Sequence, residues 1–71
     1  MHQFQKSNAL DASELHPDIV LRYFNQGVIL WMPLDRWSKM MRHLQGLGKS
    51  IRHRGRSGGV GKGVVFQKLM L

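Results

Sequence analysis

A chain of 71 residues without cysteine has room for one small domain and excludes both a disulfide framework and thiolate metal sites. Its longest apolar run, GVILWMPL, falls far short of the roughly 20 residues that a membrane-spanning helix needs, and the opening MHQFQKSNALDASE lacks the basic-then-apolar order of a signal peptide, so a cytoplasmic protein with no membrane contact is expected. Lys and Arg number 11 against four acids, for a formal net charge of +7, which turns attention to polyanionic partners.

The distribution of that charge says more than its size. Asp11, Glu14, Asp18 and Asp35 all lie in the first 35 residues beside only Lys6 and Arg22, a net of −2, whereas the chain from Arg36 onward has nine basic residues and no acid, a net of +9. Blocks of one sign are either solvated or the footprint of an acidic partner.

Residues 1–10 are polar apart from Phe4 and Leu10 and read as a flexible N-terminal arm; residues 11–71 read as the single domain. DASE has the spacing of a capping box, but Pro17 follows too soon for a helix to run through it. A short turn over 11–15 is expected instead, then a helix from Pro17 to about Gln26, with Asp18 in its first turn and Gly27 as its stop. Ile19, Val20, Tyr23 and Phe24 form its apolar stripe. VILWM at 28–32, set between Gly27 and Pro33, reads as a buried strand.

Asp35 is then expected to cap a second helix running to about Gln45 and stopped by Gly46 and Gly48. Leu34, Trp37, Met40, Met41, Leu44 and Leu47 fall on one face at helical spacing, and Arg36, Lys39, Arg42 and His43 on the other. Trp31, Trp37, Met40 and Met41 are expected in the core; Met32, Met40 and Met41 would also suit an adaptable docking surface. Beyond Gly48, KSIRHRGR, SGGVGKG and VVFQKLML read as a basic strand, a glycine-rich tip and an apolar return strand. Val64, Phe66 and Lys68 would share one face of that return, with a short helix over the tail as the alternative reading.

GGVGK within this hairpin raises a nucleotide question. A Walker loop, Gly-x-x-x-x-Gly-Lys-Ser/Thr, requires glycine where this chain has Arg56 and a magnesium-binding hydroxyl where it has Gly63. SGGVGKG resembles the loop of partition-type ATPases over six residues but lacks the leading lysine and the hydroxyl. No apolar strand precedes Gly58, and no acid follows Asp35 to serve as the Walker B carboxylate. The glycines are better explained by a tip that needs positive φ or close backbone approach, with Arg56 and Lys62 beside it for a phosphate.

The four histidines have no zinc-site spacing, since His43 and His53 stand ten apart across two glycines, and no cofactor is expected. No serine lies in a recognisable His/Asp constellation, and no carboxylate dyad is evident, so an enzyme is not expected. VILWMPLDRWSKMMRHLQGLGKS resembles the strand and first helix of ribbon-helix-helix repressors through Pro33, Trp37, Met40, Leu44, Leu47, Gly48 and Ser50. That resemblance implies a dimer completed by a second apolar helix. IRHRGRSGG cannot form that helix, and the base-reading strand positions would fall on Ile29 and Trp31, a poor choice for hydrogen bonding to base edges, so it is not adopted.

The expected fold is α+β: helix, strand, helix, then a basic β-hairpin, with two helices on a two- or three-stranded sheet and a basic C-terminal half over 36–68. The expected function is a non-enzymatic nucleic-acid-binding protein, DNA ahead of RNA, in the manner of a small regulator. Arg36, Lys39, Arg42 and His43 on the helix, with Lys49, Arg52, Arg54, Arg56 and Lys62 on the hairpin, would contact phosphates. Arg52, Arg54 and Arg56 at period two would project from one side of a strand. The alternatives are a phage- or plasmid-type adaptor or inhibitor that sets its basic half against an acidic protein surface, such as that of RNA polymerase or a nuclease, or a ribosome-associated protein. A homodimer is compatible with so small a core.

Overall fold

The computed structural model describes residues 8–56 and 62–69. Strand β1 (Leu10–Asp11) leads through a turn to helix α1 (Pro17–Asn25), strand β2 (Leu30–Pro33), helix α2 (Leu34–Gly46), and the strands β3 (Ile51–Arg56) and β4 (Gly63–Lys68). This is an α+β fold with a four-stranded mixed sheet in the order β1-β2-β4-β3. The expected order of helix, strand, helix and hairpin is present, and the tail over 63–68 is strand.

The sheet is larger than expected because the end of the arm joins it. Leu10 N–H donates to the Ile29 carbonyl and Ala12 N–H to the Trp31 carbonyl, each at 2.8 Å, which makes β1 a short parallel neighbour of β2. Ala12 is fully buried, so this contact also closes one end of the core. Residues 1–7 of the expected arm lie outside the described residues. DASE forms the turn read from it: Ser13 N–H donates to Asp11 Oδ1 at 2.9 Å, a side-chain mimic of a backbone turn.

Helix α1 starts where Pro17 directs it. His16 supplies the cap, with Nδ1 accepting from Asp18 N–H at 3.2 Å, a role the sequence reading gave to no residue. At its far end Gly27 has φ +84°. Val28 N–H reaches the Tyr23 carbonyl at 3.1 Å and Gly27 N–H the Phe24 carbonyl at 3.0 Å, the paired closure of a Schellman motif. Helix α2 ends identically: Gly48 has φ +76°, and Lys49 N–H and Gly48 N–H reach the Leu44 and Gln45 carbonyls, both at 3.0 Å. Each helix thus stops at the glycine where only the left-handed backbone allows both bonds.

The start of α2 corrects one expectation. Asp35 does not cap it; its Oδ1 takes only the adjacent Arg36 N–H at 3.0 Å. Pro33 occupies the cap position with no side-chain bond. Leu34 N–H instead donates 3.0 Å to the Lys62 carbonyl, so the chain entering β4 holds the first turn of α2.

Strand alternation divides the core. Leu30, Met32, Val64 and Phe66 point to the face that receives Val20 and Phe24 from α1 and Trp37, Met40 and Leu44 from α2. Phe66 stacks against Trp37 at 4.6 Å and Phe24 at 6.1 Å between ring centroids. Trp31 and Val65, opposite each other in register, are buried on the other face. Strand β4 is therefore buried from Gly63 to Phe66 and reads as a continuous apolar run because it is central and covered on both sides. Leu34 and Leu47, expected on the apolar face of α2, remain 38% and 52% exposed: one opens the helix and the other lies past its last turn.

Candidate nucleic-acid interface

Of the nine basic-half residues expected to bind, the seven with described side chains are spread over α2, the turn after it and both faces of the sheet. On α2, Lys39, Arg42 and His43 are exposed, turned from the sheet by the burial of Trp37, Met40 and Leu44. Arg36 stands apart from them. Its guanidinium donates through Nη1 to the Ser13 carbonyl and through Nη2 to the Leu15 carbonyl, the latter at 3.0 Å, and the residue is half-buried. Arg36, expected to contact phosphate, serves in the fold as a tie between α2 and the turn before α1. The sequence reading missed this because no local pattern announces a bond across 23 residues.

Lys49 is half-buried in the turn after α2. Arg52 is exposed and pairs with Gln67, in the row of Trp31 and Val65 on the face away from both helices. Arg54 pairs with Val65, but a register shift follows, and Arg56 pairs with Val64, which belongs to the helix-side row. The register shift between Arg54 and Arg56 is a bulge that adds one residue to the β3 ladder; the side chains of Arg54 and Arg56 lie outside the described residues. Lys62 is exposed at the entry to β4, and the glycine-rich tip over 57–61 lies outside the described residues.

Two further features went unassigned in the sequence. His53 alternates with the arginines and so shares the helix side of β3, where its ring packs 5.6 Å from Trp37. Alternation within β3 was the available signal. An open cleft of about 640 Å³ lies between α2 and the start of α1, lined by Pro17, Met32, Asp35, Arg36, Lys39, Met40 and His43. Its walls come from elements far apart in the chain, so no local signal announced it.

Electrostatically, the described cations are poorly compensated. Between described residues no lysine or arginine forms an ion pair; the His16 Nδ1 that accepts from Asp18 N–H also lies 3.7 Å from the Asp18 carboxylate. Glu14 and Asp18 lie exposed around the turn and α1 start, away from the hairpin strands. Among the described residues no three His, Asp or Glu side chains converge as a metal site, and no helix is long and apolar enough to cross a membrane. Comparison of the chain with protein-family models, curated protein sequences and solved structures finds no match in any of the three.

Proposed function

We propose that the chain is a non-enzymatic nucleic-acid-binding protein, a small DNA-binding regulator of the cytoplasm that engages phosphates through its basic half. The observation that carries this reading is the excess of positive charge in the second half of the chain. From Arg36 onward nine basic residues face no acid in sequence, and between described residues no lysine or arginine makes an ion pair. A polyanion supplies the missing counter-charge, and phosphate contacts of this kind need no base reading.

The placement of the cations limits how a duplex is held. Lys39, Arg42 and His43 lie on the helix layer and Arg52 on the far side of the sheet, so a straight duplex meets one set and not both. With about two or three phosphates engaged, log affinity should fall against log salt with a slope of about −2 to −3. Fluorescence anisotropy on labelled DNA across a salt series measures this directly. Reversing Lys39 and Arg42 to Glu, and separately Arg52 to Glu, identifies the contacting side. Absence of binding at low salt, salt-independent binding, or equal affinity in wild type and both reversals would overturn the proposal.

A further inference from the structure

We infer that the cleft between α2 and the start of α1 receives one unpaired nucleobase, so that the protein selects single-stranded over double-stranded nucleic acid. This rests on the nucleic-acid reading above and names the form of nucleic acid that the protein prefers. The apolar surface of the cleft is offered by Pro17, which is exposed, with Met40 and Met32 buried behind it. A volume of about 640 Å³ lies within the range of small-molecule sites and accommodates a base with its sugar.

The rim has a polarity that matches a nucleotide. Asp35, Lys39 and His43 all line the cleft and stand four residues apart, so they follow one another along one side of α2 over about 12 Å. The Asp35 carboxylate stands at one end, the Lys39 ammonium one turn on, and the His43 imidazole beyond it. A nucleotide carries amine donors on its base edge and an anion at its phosphate, and lies along this gradient with each end matched. An acidic peptide would set its charge against Asp35, and a simple aliphatic anion would leave that carboxylate unused. Arg36 forms a fixed wall: two carbonyls hold its guanidinium, and a planar guanidinium is a surface on which unstacked bases lie. Bases within a duplex are stacked and paired, so a duplex offers the cleft only phosphates.

Asp35 gives the inference its sharpest test. A carboxylate accepts from the exocyclic amine of cytosine, which thymine lacks. Anisotropy titrations would use labelled oligo-dC, oligo-dT, oligo-rC and a mixed duplex, each about 12 nucleotides long, within the usual single-strand site sizes. Oligo-dC should bind roughly five- to tenfold more tightly than oligo-dT, the effect of one exposed charge-assisted hydrogen bond, and more tightly than the duplex. Oligo-rC against oligo-dC shows whether the natural strand is RNA or DNA. Asp35→Asn should bring oligo-dC and oligo-dT together while leaving the melting temperature in place, since Asp35 is exposed and bonds only to its neighbour's amide. Equal affinity for oligo-dC and oligo-dT, or a duplex bound as tightly as oligo-dC, would overturn the cleft assignment and leave the general reading standing. No binding to any of the four would overturn both.

Discussion

Arg36→Ala separates a structural arginine from a phosphate-binding one. From the helical wheel alone, Arg36 belongs with Lys39 and Arg42, and its loss should move stability by no more than about 0.5 kcal/mol, as for most surface substitutions. In the structure the guanidinium bonds the Ser13 and Leu15 carbonyls, joining the first turn of α2 to the segment that enters α1. Hydrogen bonds from a charged donor are worth about 1.5–3 kcal/mol each. Because Arg36 is only half-buried, water reaches the abandoned carbonyls, and the two bonds together are better valued at about 1–3 kcal/mol. For a domain of this size each kcal/mol moves the melting temperature by about 4–8 °C, so a loss near the middle of that range is readily measured.

Circular dichroism melts of wild type, Arg36→Ala, Arg36→Lys and Lys39→Ala provide the assay. Arg36→Lys should fall between wild type and alanine, because an ammonium lacks the planar fork that serves two carbonyls. Lys39→Ala should melt with the wild type. The same proteins give an independent readout in a DNA salt titration. Lys39→Ala should reduce the slope by about one unit, the signature of one lost phosphate contact, whereas Arg36→Ala should leave it unchanged. An Arg36→Ala protein that melts with the wild type and loses a unit of slope would refute this assignment of Arg36.

Three further outcomes follow from the packing. Trp37→Ala removes an indole that is 5% exposed and stacked on Phe66 and His53, and should destabilise by about 3–5 kcal/mol, read as loss of the cooperative urea transition. Gly63→Ala should also unfold or strongly destabilise the protein in the same assay, because a Cβ there collides with the Trp31 indole and the Met32 carbonyl. Lys62→Ala should leave the fold intact, since the residue is exposed and its contribution to α2 is a main-chain carbonyl. Calorimetric titration with magnesium and ATP should show no binding in the wild type or in this variant.

The parts of this fold legible in the sequence are those set by local pattern. The spacing of Trp37, Met40 and Leu44 fixes the buried side of α2, and Gly27 and Gly48 mark its neighbour's end and its own. VVF at 64–66 is strand, as its β-branched and aromatic content requires, and the basic strand before it forms the other arm of the hairpin. What stayed hidden depends on segments meeting across the chain. Leu10 and Asp11 become a strand only because the Ile29 and Trp31 carbonyls are available at the edge of β2. Asp35 looks like a cap, but the carbonyl of Lys62 takes the first helix amide before any side chain is needed. Arg36 looks like its basic neighbours until the turn at Ser13 and Leu15 is placed against it. The β3 bulge, which shifts the register between Arg54 and Arg56, depends on how two strands align, and neither strand records that alone.

Within SGGVGKG the described residues are Lys62 and Gly63, at the entry to β4. A phosphate loop needs a helix directly after its lysine, so that the helix N-terminus and the loop amides converge on one phosphate. After Lys62 this chain enters β4, a strand. The helix N-terminus beside Lys62 belongs to α2, and its first amide is already taken by the Lys62 carbonyl. The hydroxyl residue that a Walker loop requires would stand at position 63. There Gly63 pairs with Pro33 beneath the Trp31 indole, and serine or threonine would bring the same colliding Cβ as alanine. The departure from the nucleotide pattern therefore has a packing cause. At residue 63 the magnesium-binding hydroxyl and the closed edge between β2 and β4 exclude each other, and the glycine that spoils the motif is the one that lets the central strand pass under Trp31.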